Sequence, residues 1–195
     1  MTAAIEQRMS LEQFLSYDDG TDRRYELVDG VLVEMGAESR ANIKIALFLI
    51  QAFLQLVDYD RLGIKEKIEV ESRYVTARDP DLVVHSEDSA LAISGRSEAC
   101  LKRYDPNPLV VIEVVSPGDK SSDNYKRDYE QKPAEYGSRG IAEYWIIDPE
   151  RAVVRVGCLI EGTYDYTEFQ NDNVIVSPAF PNWSLTAAEV LSSGQ

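Results

Sequence analysis

Pro108-Leu-Val-Val-Ile-Glu-Val-Val-Ser-Pro117 is an aliphatic, largely β-branched run closed at both ends by proline, with a single carboxylate, Glu113, in its middle. A run of that kind between turn signals predicts a central strand covered on both faces. Alternation along it sets Leu109, Val111, Glu113 and Val115 on one face and Val110, Ile112 and Val114 on the other. An acid in such a strand is tolerated only when it is paired, hydrogen-bonded or bound to a cation. The chain must therefore bring something to Glu113.

At 195 residues there is length for one domain, residues 1–195, with a sizeable core. An apolar share of 44% and a charged share of 28% are those of an ordinary globular protein. The formal charge of −14 is not ordinary. It works against long-range attraction to nucleic acid or an anionic membrane, although a local basic cleft can persist within an acidic shell. Beyond Arg155 no Lys or Arg follows, while Glu161, Asp165, Glu168, Asp172 and Glu189 do, so the C-terminal region is not the face expected to meet a polyanion. Cys100 and Cys158 form no C-x-x-C pattern, and Met1 to Ser10 lacks the apolar segment that heads a secreted chain. The expectation is two reduced thiols in a cytoplasmic protein. No apolar run reaches the ~18 residues of a membrane-spanning helix.

Taken in order, Leu11, Phe14 and Leu15 predict a short entry helix behind a Ser10 cap. Arg24 to Met35 reads as a hairpin turning on Asp29-Gly30. A helix capped by Ser39 or Asn42 is predicted to run to about Val57. It is apolar nearly all round, and so expected to pack against a sheet and a further element. Lys65 to Glu71 and Asp79 to His85 read as strands, the second begun by Pro80. Residues 86–107 read as a surface excursion with room for one short helix. After the central strand come a Ser116-Pro-Gly-Asp119 turn, a helix from about Ser121, and a strand from Ile141 to Pro149. Ala152 to Gly157, Thr163 to Phe169 and Val174 to Val176 predict antiparallel strands, and Leu185 to Leu191 a closing helix. The series makes an α/β domain of α+β character around a mixed sheet.

Asp81 heads one apolar strand and Glu113 sits within another. If those strands are neighbours in register, the two acids converge, and two carboxylates with a backbone carbonyl and waters suit Mg²⁺ or Mn²⁺. The same spacing suits a structural arrangement in which Asp81 caps a turn after Pro80 and Glu113 pairs with a buried base. On the following helix Tyr125, Tyr129, Lys132 and Tyr136 are spaced four, three and four apart, one stripe that faces the sheet. A lysine within that stripe needs an anionic partner, and Glu113 is the candidate; the alternative is a lysine that snorkels to the surface. Asp128, one turn earlier, could steady it, and Lys126 projects off the stripe as a weaker candidate. Pro133 complicates the pattern, because it removes an amide and biases Lys132 away from helical geometry. His85, the one histidine, lies on the strand face of Asp81 and reads chiefly as the strand's end.

Together these pieces resemble the PD-(D/E)xK restriction-endonuclease-like superfamily, and within it the Uma2-like family, also described as DUF820 and abundant in cyanobacteria. The matching segments are Arg24-Tyr-Glu-Leu-Val-Asp-Gly-Val-Leu, Pro80-Asp-Leu-Val-Val and Val111-Ile-Glu-Val-Val-Ser-Pro117. Asp128, Lys132, Tyr136 and Gly140 follow at four-residue steps, then Glu143-Tyr-Trp-Ile-Ile-Asp-Pro149. The resemblance runs from about Leu11 to Leu191. It implies a restriction-endonuclease-like core, a mixed central sheet flanked by helices with further antiparallel C-terminal strands, and Mg²⁺-dependent (or Mn²⁺-dependent) hydrolysis of DNA phosphodiesters. Asp81, Glu113 and the peptide carbonyl of Val114 carry over as metal ligands. The superfamily's Glu-x-Lys lysine is Val115 here, and the family's answer, a lysine moved to the next helix, points to Lys132. Glu26 corresponds more loosely to an extra acid that some members bring to the metal, against a hairpin ion pair with Arg23 or Arg24.

The mechanism so implied has Lys132 orienting water or neutralising charge beside the cation, without a covalent intermediate. Arg73, Arg78, Lys120, Lys126 and Arg127 flank the acids and are candidates for phosphate contact. Two other readings stand beside the nuclease: an inactive scaffold that keeps the fold, favoured by the charge of −14 and the missing Glu-x-Lys, and a hydrolase of a smaller phosphoester. By analogy with nucleases that cut two strands, a homodimer is expected.

Overall fold

Within the computed structural model, residues 8–118 and 121–195 are described. α1 (Leu11–Leu15) starts from a capping box: the Ser10 hydroxyl accepts from the N–H of Gln13, and the Gln13 side chain accepts from the N–H of Ser10. β1 (Tyr25–Val28) and β2 (Val31–Glu34) form the expected hairpin. Asp29 and Gly30 both take positive φ, 49° and 83°, as a type I′ turn requires. α2 (Arg40–Phe53) begins at a Ser39 cap.

Four short strands follow, β3 (Leu62–Gly63), β4 (Lys67–Val70), β5 (Thr76–Arg78) and β6 (Leu82–Val84). Then come α3 (Glu87–Ile93), β7 (Cys100–Leu101) and the central strand β8 (Val110–Val114). The crossover to β9 (Glu143–Asp148) is made by α4 (Asp123–Lys126), a π-helical turn over Arg127–Gln131, and α5 (Lys132–Arg139). β10 (Val153–Ile160), β11 (Thr163–Phe169) and α6 (Ala187–Ser192) complete the series.

The strands divide between two sheets, one ordered β2-β1-β5-β4-β7 and the other β11-β10-β9-β8-β6-β3. In the second, β8 and β9 are parallel across the helical crossover, and β6, β10 and β11 are antiparallel to their neighbours. The two faces of β8 build two cores. Val110, Ile112 and Val114 pack with Ile45, Leu49 and Phe53 of α2 and with Trp145. Val111 and Val115 pack with Tyr136 of α5 and with Tyr144 and Ile146 of β9. The predicted alternation along β8 is thus realised, except that Leu109, ahead of the strand, packs with the first core.

Several expectations need correction. α2 packs against the sheet and a further element as expected, its buried side meeting β8 and α6, but its opposite side stays open: Leu49 is 0% exposed and Leu47 is 60% exposed. The predicted strand from Val174 to Val176 is a single bridge between Val174 and Thr186. Lys132 keeps helical angles despite Pro133, because the π-helical turn ahead of the proline absorbs the missing amide hydrogen bond. β5 was not foreseen, since Thr76-Ala-Arg78 is too short to show a period. The Ser116–Asp119 turn and Lys120 run into residues outside those described, as does most of Met1 to Ser10.

Candidate active site

β6 and β8 are adjacent and antiparallel, with Leu82 opposite Ile112. One step further, that register sets Asp81 opposite Glu113. The pairing stops there because the Asp81 side chain takes over: its Oδ2 accepts from the N–H of Val114 at 2.7 Å. Asn42, a polar residue on the buried side of α2, donates from Nδ2 to the carbonyl of Val114 at 3.1 Å. Both polar groups of the Val114 backbone are thereby fixed by side chains.

On the other side of β8, the stripe of the crossover helix faces Glu113. Lys132 Nζ lies 2.8 Å from Glu113 Oε2, 3.2 Å from Asp128 Oδ1 and 3.6 Å from Glu26 Oε1. The Tyr136 hydroxyl donates to Glu113 Oε1 at 3.1 Å. Lys132 is 2% exposed and Glu113 3%, so this is a desolvated ion cluster and not a surface bridge. Glu26, also buried, bonds through Oε2 to Arg78 at 2.9 Å, and Arg78 forks onto both oxygens of Glu135. The alternative hairpin pairing of Glu26 does not form: Arg23 bridges to Glu34, and Arg24 to Asp79 and Glu38.

The charges in this cluster do not balance. Burial works against the charge of Lys132, but Glu113, Glu26 and Asp128 outweigh it and raise its pKa. Burial likewise opposes ionisation of Glu26, yet Lys132 and Arg78 hold it down at about 2. Glu113 is pushed well above the usual carboxylate range, by burial first, with Lys132 pulling it back and Asp81, Asp128 and Glu26 pushing further. Asp81 rises to about 7, again by burial first, eased by the Val114 N–H and worsened by Glu38. Acid is in excess around Asp81 and Glu113: Lys132 eases Asp81 only from a distance, and among the described residues no Lys or Arg forms an ion pair with it.

That excess decides whether a metal suits the site. The donors are all oxygens, and the local shortage is of positive charge, which is the chemistry of a hard divalent cation. In kind, the residues fit. They are not gathered around a point: no group of three His, Cys, Asp or Glu side chains arranged to hold a metal occurs among the described residues. Both oxygens of Glu113 already receive hydrogen bonds.

Glu38 was missed by sequence reasoning. Its Oε1 is buried without a partner, and it lines a cavity of about 160 Å³ together with Asn42, Pro80 and Asp81. Nothing in its spacing marks it, since it precedes the Ser39 cap in an irregular stretch. His85 takes no part: its ring nitrogens meet Ser89 Oγ and Glu66 Oε2. Lys126 is exposed at the end of α4. Of the phosphate-contact candidates, Arg78 is 1% exposed and locked between two glutamates, so it is structural. Arg127 is partly buried against Asp128, and Arg73 is exposed with its guanidinium over Tyr74.

Comparison with known proteins gives the family and the fold. The profile of the Uma2 family, described as "Putative restriction endonuclease", matches residues 11–188. Among solved structures, a "putative nuclease belonging to DUF820" from Anabaena variabilis ATCC 29413 superposes with a TM-score of 0.72 at 17% identity, covering 96% of this chain and 99% of that one. At that identity the likeness is one of fold. Comparison with curated proteins gives no match.

Proposed function

Because the chain belongs to the Uma2 family, we propose that it is a metal-dependent endonuclease that hydrolyses DNA phosphodiester bonds. Asp81, Glu113 and the carbonyl of Val114 would hold Mg²⁺ or Mn²⁺, and Lys132 would serve as the active-site lysine. The observation that carries this reading is the reach of Lys132 from its helix to within 2.8 Å of Glu113. It supplies the amine that Val115, buried in the core, cannot.

A divalent cation held there supplies Lewis-acid activation of the phosphate and of water. The chain's own residues do the rest. Lys132, kept cationic by its three acids, neutralises charge building on the phosphate or orients the attacking water. Tyr136 fixes the Glu113 carboxylate, and Asn42 fixes the Val114 carbonyl. The leaving 3′ oxygen takes its proton from solvent. Glu26 acts through Lys132 and Arg78, as a positioning residue. The same reading takes residues 1–195 as one restriction-endonuclease-like domain of a cytoplasmic protein that pairs as a homodimer to cut two strands. The test is nicking of plasmid DNA in Mg²⁺: Glu113→Gln and Lys132→Ala each lose it while the circular dichroism spectrum is kept. Wild-type nicking by both variants would sink the reading.

A non-enzymatic scaffold that keeps the fold is the second reading, and the saturation of Glu113 by Lys132 and Tyr136 favours it. A folded wild type that neither binds Mn²⁺ nor nicks DNA would establish it. Turnover of a phosphodiester mimic without DNA cleavage would instead point to a smaller phosphoester.

A further inference from the structure

Against 34 Asp and Glu the chain has 20 Lys and Arg, so a place where cations outnumber acids is informative. A cleft of about 290 Å³ is such a place: Arg23, Arg24, Lys65 and Lys67 line it against one acid, Asp79. By contrast, a larger cavity of about 840 Å³ beside α1 sets Arg8, Lys102 and Arg103 against Glu12, Glu69 and Asp105. Asp79 is buried and pairs with Arg24 at 2.8 Å and Lys67 at 3.4 Å, while Arg23 bridges outward to the exposed Glu34, which does not line the cleft, and Arg24 also reaches Glu38.

Lys65 is exposed, and among the described residues no carboxylate lies within ion-pair distance of it. Its φ is +56°, a left-handed conformation that costs a non-glycine residue and recurs at functional sites. Tyr17, 41% exposed, stands edge-on to Tyr25 with ring centroids 5.7 Å apart, and both rings line the cleft. Cations beside an open aromatic face are the composition that holds a single strand, phosphates on the bases and a nucleobase on the ring. Arg24 and Lys65 also line the cavity that contains Asp81 and Glu38, so the cationic cleft and the acid site share a wall.

We propose that this cleft is the track along which one strand of nucleic acid leaves the Asp81–Glu113 site. Arg23, Arg24, Lys65 and Lys67 take its phosphates and Tyr17 stacks a base. The track rests on the nuclease reading of that site. It moves phosphate contact away from Arg78 and Arg127 to residues on the Asp79–Asp81 side.

The test is binding of fluorescent single-stranded and duplex DNA across a salt series, with Ca²⁺ in place of Mg²⁺ to hold off cleavage. Arg23→Gln combined with Lys65→Gln lowers affinity about tenfold at ~0.1 M salt and flattens the slope of log K against log salt by about 1.5, with the thermal unfolding midpoint kept. Tyr17→Ala weakens single-stranded DNA about fivefold or more and duplex DNA less. Lys102→Gln with Arg103→Gln, at the mixed-charge cavity, changes neither. Equal losses in that control pair, or no loss in the Arg23–Lys65 pair while the wild type binds and cleaves, overturn the track alone. A folded wild type that binds no oligonucleotide overturns the track and the nuclease reading together.

Discussion

Lys132 and Glu113 form a buried ion pair at 2.8 Å between a helix and the strand it covers. Both partners are nearly sealed from solvent, so the pair depends on its surroundings to remain charged. Lys132→Ala leaves Glu113, Asp128 and Glu26 facing one another without their shared cation. The expected loss is about 3–5 kcal/mol in urea unfolding. Combining Lys132→Met with Glu113→Gln should recover about 1 kcal/mol or more relative to the sum of the single variants, since each removes what the other strands. Strict additivity would show that the two side chains do not interact.

Glu26 gives the site a defined acid limit. Its folded pKa, about 2, lies below its ordinary 4.5, because Lys132 and Arg78 favour the carboxylate against the cost of burial. A depressed carboxylate contributes stability that is present above pH 4.5 and lost as pH falls toward 2. The contribution is of order 3 kcal/mol. Glu26→Gln should therefore flatten the dependence of stability on pH between 4.5 and 2. An unchanged slope, measured by chemical unfolding at several pH values, would place the charge balance elsewhere.

Arg78 joins three elements by binding Glu26 on β1 and Glu135 on α5 from its own place on β5. Arg78→Met should cost about 3–5 kcal/mol, because two carboxylates lose a buried partner. A role in phosphate contact predicts the opposite pattern, intact stability with weaker DNA binding. Thermal unfolding and a binding isotherm on the same variant separate the two.

α2 presents a sharp contrast between neighbouring leucines. Leu49→Ala, in the core under β8, should cost about 2–5 kcal/mol. Leu47→Ser, on the open face, should stay within about 0.5 kcal/mol. Analytical ultracentrifugation of Leu47→Ser adds a check on self-association: a shift from dimer to monomer would mean that a second copy covers this face.

The central strand, the Asp29-Gly30 hairpin and the sheet-facing stripe of the crossover helix were legible because each carries a strong local period or turn signal. The pairing of Lys132 with Glu113 followed from that stripe, since a lysine among sheet-facing tyrosines must find an anion. Pro133 was misleading in isolation: a π-helical turn is a small adjustment that no local rule favours until packing holds it. The role of Arg78 could not be read, because its partners Glu26 and Glu135 are far away in sequence and meet it only through the sheet order. Glu38 lies in irregular backbone, where periodicity is silent, and Lys65, which alternation placed at the start of a strand, falls outside β4 with a φ of +56°. The exposed side of α2 shows the limit of composition, for an apolar helix surface states what it could bury and not what is there to bury it.

The most direct measurement is a crystal soaked in Mn²⁺, with anomalous diffraction locating the ion. The predicted result is one ion within coordination distance, about 2.1 Å for Mg²⁺ and slightly longer for Mn²⁺, of carboxylate oxygens from both Asp81 and Glu113, with Lys132 still beside Glu113. Crystals that show no ion at saturating Mn²⁺, or an ion that touches neither acid, would contradict the metal-dependent site.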